Sequence, residues 1–311
     1  MTPGLSIMLR SYSPEDPGSG GWQHLFDRAR AADEAGVDRI YVSDHVVFGE
    51  NMEAYARPEV GGQEGGRQPT GPDGHWLEPL TVLTALSSIT SRVRLATGIL
   101  LAALRRPVVL AKTAATIDVL SGGRLDLGVG VGWQREEYEA AGLDFEQRGR
   151  ILDDTLAVCQ TLWRDSPARF ESEELQFERI HQMPHPVQPG GVPIWVSGTV
   201  NKRVLERIVR FGSGWIPWGA AEAEPTEWIP RVYEALAAAG REVTGFQVAG
   251  RLPVVTNEDR DIDVERTMER VPALVEAGVT DFRTFIRLPA EQSACAERLA
   301  GIVAAFNEAT A

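Results

Sequence analysis

Eight short β-type runs, separated by longer stretches of helical periodicity, are the feature that most restricts how this chain can fold. They lie at 5–10 (LSIMLR), 38–43 (DRIYVS), 93–99 (VRLATGI), 124–130 (RLDLGVG), 192–197 (VPIWVS), 214–218 (GWIPW), 246–255 (FQVAGRLPVV) and 281–288 (DFRTFIRL). Between them apolar residues return once per helical turn, as in Leu25, Ala29 and Ala32, or Leu110, Ala114 and Ile117. The same spacing joins Ile151, Thr155, Val158 and Leu162, then Val204, Ile208 and Phe211, and finally Cys295, Leu299, Ile302 and Phe306. In the stretch 264–277, Pro272 predicts a kinked or split helix. Strands alternating with helices build βα units on a parallel sheet, and eight units are the number that closes a barrel. The expected fold is a (β/α)8 TIM barrel, a single domain over residues 1–311.

The joints agree. Gly36, Gly212 and Gly278 each stand between a helix and the next strand, where a left-handed residue ends the helix. The similar segments EAGVDRIYVSD and EAGVTDFRTFI read as the same joint chemistry used twice. Two intervals exceed one helix plus loops. Residues 46–78, with GGQEGGRQPTGPDG, read as a mobile loop, and 164–191 contain a candidate β-hairpin, ARFESEELQFERI. These insertions, after strands 2 and 4, are expected to rise from the C-terminal face, where barrel enzymes carry their sites. The rival is a doubly wound dinucleotide fold. Gly128 and Gly130 begin its G-x-G-x-x-G fingerprint, but Trp133 takes the place of the third glycine.

Composition narrows the function. A net charge of −13 opposes binding to nucleic acid, and any phosphate-bearing ligand must be held by local amides or placed arginines. Cys159 and Cys295 fall on apolar helical stripes and read as buried thiols in a reducing compartment. MTPGLSIMLRSYS lacks a secretory pattern and no apolar run could span a bilayer, so a soluble cytoplasmic protein without membrane contact is expected.

Chemistry-bearing residues gather at the ends of strand runs. Asp44 and His45 end the second, as a rim acid–base pair or as a loop cap beside a half-exposed imidazole. Thr97, Gly98 and Ile99 end the third, where a glycine lets a flat ring approach or simply closes a strand. Gly128, Gly130 and Gly132 clear one face of the fourth, followed by Trp133, a ring partner or a packing residue. Ser197, Gly198 and Thr199 precede a helix and suit a phosphate, although Ser and Thr also serve as plain N-caps. His181 and His185 are four apart, but Pro184 and Pro186 exclude a ligand-bearing helix, and no metal is expected. Arg105, Arg106, Arg148 and Arg150 are the nearest basic groups for an anionic tail.

The block AKTAATIDVLSGGRLDLGVGVGWQREEYEAAGLDFEQRGRILDDTL closely resembles the signature of luciferase-like, coenzyme F420-dependent oxidoreductases. DRIYVSDHV, VRLATGILLAALRRPVVLAK and PIWVSGTVNKRVLERIVRFGSGWIP resemble that family's second, third, fifth and sixth strands. The resemblance implies a barrel with a deazaflavin at its mouth and a homodimer. It implies that Asp44 and His45 lie beside the deazaflavin, with His45 as base or hydrogen-bond partner of substrate. Gly98-Ile99 matches a non-prolyl cis peptide behind the ring. Val131, Gly132 and Trp133 match the loop flanking the cofactor, and Ser197, Gly198 and Thr199 match the phosphate segment. The sugar-phosphate branch carries a glutamate acid where this chain has Trp133; Glu136 and Glu137 lie nearby, and neither aligns with that role. The expected activity is F420-dependent hydride transfer with a small organic substrate. The alternatives are an FMN-dependent monooxygenase using O2, a non-catalytic flavin or F420 binder, and, weakest, a metal-dependent hydrolase using Asp44, His45 and another histidine.

Overall fold

The computed structural model describes residues 2–18 and 20–311. Eight parallel strands, Gly4–Met8, Arg39–Val42, Arg94–Thr97, Leu125–Val129, Ile194–Gly198, Gly214–Pro217, Gln247–Arg251 and Asp281–Thr284, follow one another around a closed barrel. We call them strands one to eight. Strand one closes the circle, with Gly4 opposite Asp281 on one side and Ser6 opposite Arg39 on the other. The last two strands are shorter than the β-type runs that contain them. Pairing ends where Leu252 N–H reaches the Arg283 carbonyl at 2.9 Å, and Pro253 has no N–H to continue it.

Side-chain alternation divides the molecule into an inner column and an outer shell. Outward residues such as Ile40, Leu95, Leu127, Val196 and Phe282 join the helix faces in the main core. That core takes in Leu25, Ala29 and Ala32 of helix Gln23–Ala35, and Leu110, Ala114 and Ile117 of helix Pro107–Ser121. Inward residues Tyr41, Ala96, Trp195, Ile216 and Ala249 form a separate plug, with Met8 and Ile99 against it. Below the plug lies a charged layer. Arg39 pairs with Asp126 at 2.9 Å and with Asp281, while Arg94 grips both oxygens of Asp126 at 2.7 Å. Buried charges persist when each is paired and hydrogen-bonded, and Tyr41 Oη adds a bond to Asp281 at 2.9 Å. A hollow of about 430 Å³ opens beside this layer, at the N-terminal end.

Gly36 takes the left-handed conformation, φ 82°, that the helix-to-strand joint requires. Gly212 does not: its φ is −74°, and its backbone passes so near Ile208 that a Cβ would lie 2.9 Å from that carbonyl oxygen. Glycine is needed there for closeness. Pro272 divides its stretch into helices Val264–Met268 and Val271–Glu276, standing in the first turn of the second.

The insertions differ from each other. Residues 46–78 contain two 3-10 turns, Met52–Ala56 and Pro58–Val60, and a short strand, His75–Trp76, paired with Tyr12–Ser13. They are structured where composition suggests a mobile loop. The second insertion follows helix Arg148–Arg164 rather than strand four directly, so it starts from the N-terminal side and not from the C-terminal rim as expected. Its return is fixed there, Val187 N–H and the Gln188 amide bonding Asp118 at 2.8 and 2.7 Å. Its hairpin, Ala168–Glu171 with Gln176–Ile180, runs back along the helix until Glu174 meets Arg150 at 3.1 Å.

Candidate active site

The loops after strands two to six bring the predicted residues to one end of the barrel. Asp44 and His45, though consecutive, point to different places. The Asp44 carboxylate is fully buried and turned behind the strand-three loop, accepting from Leu101 N–H at 2.8 Å and from Arg105 at 2.6 and 3.1 Å. Burial pushes this carboxyl upward in pKa, against the pull of Arg105. Arg105 also holds Glu78 at 2.7 Å, which ties strands two and three to the end of the first insertion.

His45 faces the mouth inside an aromatic cage. Its ring centroid lies 4.3 Å from Phe48, 4.8 Å from Trp76 and 5.9 Å from Trp133. Nδ1 is 3.2 Å from Glu137 Oε2, and Nε2 is 3.4 Å from the Gln68 amide nitrogen. Sequence reasoning leaves Glu137 without a role. Its signal is position: it stands one turn beyond Trp133 and beside Tyr138, whose hydroxyl bonds the Val131 carbonyl at 2.6 Å, so it lies on the buried side of helix Arg135–Ala140. Gln68, in the polar insertion, carries no such signal.

Strands three and four supply a closely packed wall. The Gly98–Ile99 peptide is cis, at the position the family resemblance marks for one. Thr97 is buried, with Oγ1 donating to the Gly128 carbonyl at 2.8 Å. A Cβ on Gly98 would meet Tyr41 at 2.8 Å, and one on Gly130 would meet Ile99 at 2.6 Å, so both glycines make room for the wall's own side chains. Val131 is half-buried. Gly132 turns the chain with φ 70°, and Trp133 then packs edge-on to Tyr55 at 5.4 Å, its indole N–H buried without a partner.

Across the mouth, Ser197 and Gly198 end strand five. A Cβ on Gly198 would lie 2.9 Å from Val204, and the Gly198 carbonyl accepts from Trp215 Nε1 at 3.0 Å. Thr199 Oγ1 donates to the Trp218 carbonyl at 2.9 Å, and Asn201, not Ser197 or Thr199, caps helix Lys202–Phe211 through Val204 N–H. The first insertion reaches over this side, where Trp218 Nε1 donates to the carbonyls of Gly61 and Gly62 at 3.2 Å. Arg148 and Arg150 stand outside this ring of residues, on the helix that follows it. Among the described residues no cluster of three or more His, Cys, Asp or Glu could hold a metal ion, and His181 bonds Ser166 at 2.9 Å, away from the mouth.

A family model described as luciferase-like monooxygenase matches residues 4–299. An uncharacterised protein of Mycobacterium tuberculosis is 31% identical over 283 residues, covering 89% of this chain and 92% of the relative. An F420-dependent secondary alcohol dehydrogenase, solved with an F420–acetone adduct, superposes with a TM-score of 0.73 at 16% identity, over 98% and 99% of the two chains. The oxygenating constituent of 3,6-diketocamphane monooxygenase from Pseudomonas putida, solved with FMN, gives 0.75 at 14% identity, over 99% of each chain. At these identities the likeness to the solved structures is one of fold.

Proposed function

The chain belongs to the luciferase-like monooxygenase family, and from that premise we propose that it is an F420-dependent oxidoreductase acting on a small organic substrate. The observation that carries this reading is the meeting, at one end of the barrel, of the wall formed by Gly98, Ile99, Val131 and Gly132 with the His45 imidazole, held between Phe48, Trp76 and Trp133. The residues present fit a flat, phosphate-bearing ring. Gly98, Ile99, Val131, Gly132 and Trp133 would support its plane, and the buried, unpartnered Trp133 N–H is a donor that such a ring could satisfy. Ser197, Gly198 and Thr199 would take the phosphate, through backbone amides and the Ser197 hydroxyl, which need no cation in a chain of net charge −13. When bound, a deazaflavin supplies hydride chemistry that no side chain can.

The chain's own residues then position and exclude. His45 holds or receives the substrate proton. Asp44, locked to Arg105, fixes the strand-two loop from behind and so sets where that imidazole stands. Phe48, Trp76, Trp133, Tyr55 and Trp218 keep water from the reacting atoms. The same enclosure favours one second reading, an FMN-dependent monooxygenase, because oxygen chemistry on a flavin needs a dry site. We further propose a cytoplasmic homodimer that binds neither nucleic acid nor membrane.

Fluorescence titration with F420 and, separately, with FMN tests the reading. Binding of F420 at micromolar concentration or tighter, with FMN much weaker, supports it; the reverse preference moves the protein to the monooxygenase reading, and binding of neither removes both. His45→Ala should keep cofactor affinity while lowering turnover roughly 100-fold or more. A collapse of affinity instead would make His45 an anchor of the cofactor.

A further inference from the structure

We propose that Glu137 is a positioning residue that fixes the tautomer of His45, placing the ring proton on Nδ1 and leaving Nε2 as the nitrogen that works at the mouth. Among the described residues, Glu137 is the one ionisable side chain that hydrogen-bonds the ring. The other groups facing it are Phe48 from its own loop, Gln68 and Trp76 from the first insertion, and Trp133 from the strand-four loop. The neighbouring Asp44 is taken up by Arg105 and Leu101 N–H, and Glu136 packs against Gly49.

Both oxygens of Glu137 are committed. Oε1 accepts from Val46 N–H at 2.8 Å, and Oε2 lies 3.2 Å from His45 Nδ1. An ionised carboxylate can only accept, so Nδ1 must be the donor. In the neutral ring Nε2 then carries the lone pair, and the Gln68 amide nitrogen, 3.4 Å away, is the donor that meets it. Gln68 comes from the first insertion and its own Oε1 is buried without a partner, so a substrate hydroxyl reaching Nε2 replaces a weak contact. On the reading above, Nε2 would take the proton of a substrate hydroxyl, and a bound deazaflavin would supply the matching hydride chemistry at the adjoining carbon. In reverse Nε2 returns that proton to the carbonyl oxygen. The part of the proposal that concerns turnover rests on that reading; the tautomer does not.

Replacing Glu137 by glutamine makes the argument sharp. Val46 N–H still claims the oxygen, so the new amide NH2 faces Nδ1 and forces it to accept. The ring proton must move to Nε2. The test is ¹⁵N-histidine NMR of the full-length protein at alkaline pH, with and without F420; five histidines give few signals, and His45→Gln identifies the one required. The wild type should show hydrogen on Nδ1 and a bare Nε2, and E137Q the reverse. E137Q should bind F420 with unchanged affinity and lose about 100-fold in kcat. Hydrogen on Nε2 in the wild type, which a protonated Glu137 would produce, overturns the proposal even if E137Q fails to fold. So does the same tautomer in both proteins, or an inverted tautomer with kcat intact. If no substrate is ever turned over, the functional reading falls while the spectra still decide the role of Glu137.

Discussion

Asp44 and His45 are adjacent in sequence and separated in duty, because successive residues leaving a strand face opposite sides. One braces the loop from behind and the other meets the ligand side. The brace can be tested by removing its cation. Arg105→Leu leaves the Asp44 carboxylate buried with only Leu101 N–H for a partner, which should cost about 3–5 kcal/mol. Denaturant unfolding of the variant measures the loss, and adding Asp44→Asn should restore much of it by removing the stranded charge. Such pairings are what a sequence conceals. That Asp44, His45, Gly98 and Ser197 end strands is legible from alternation, since strand ends follow from where the apolar period stops. That Asp44 would be claimed by Arg105, and His45 by Glu137, depends on side chains 61 and 92 positions away meeting across loops. No local pattern reports those meetings.

Among elements, the regular parts were the readable ones. All eight strands lie where β-type runs stand, and the split at Pro272 follows from a missing N–H. The insertions were harder, because composition tells that a segment is polar without telling what pins it. The first is pinned by Trp218 and by the Tyr12–Trp76 stack at 4.4 Å. The second starts from the N-terminal end because helix Arg148–Arg164 stands between it and strand four. One joint has a consequence for pH. Asp33, on helix Gln23–Ala35, accepts from the backbone N–H groups of Ser91, Arg92 and Val93 at 2.9, 2.7 and 2.7 Å. Burial works to raise this carboxyl's pKa, but those N–H groups overcome it and hold the carboxyl below its usual range. A carboxyl depressed in the folded state stabilises above its unfolded value, about 3.9, and ceases to do so as pH falls through its lower folded value. Asp33→Asn should therefore be less stable than the wild type near neutrality by roughly 1–3 kcal/mol. The gap should begin to narrow below about pH 4 and close only once the pH lies under the folded value. Unfolding curves at both pH values check it.

For the molecule as a whole, helix Pro107–Ser121 shows an outer face that is unusually apolar, with Val109 and Leu120 each more than three-fifths exposed. Met183 and Val187 of the second insertion are exposed as well, and Lys112 bonds the Met183 carbonyl, which brings the insertion against the helix. Exposed apolar surface of this kind is what a subunit interface covers, and the proposed homodimer would rest there. Leu120→Glu should shift the protein to a monomer in sedimentation or light scattering, with its fold retained. No helix among the described residues is long and apolar enough to cross a membrane.

The plug of Tyr41, Trp195 and Ile216, with the paired charges of Arg39, Asp126 and Asp281 beneath it, stops the barrel from below. On the proposed reading that stopper imposes a queue: a cofactor settled against the wall would arrive before a substrate lying above it, and would depart only after the substrate had gone. The first insertion, whose Gly61 and Gly62 carbonyls meet Trp218, would then stand where arrivals and departures pass.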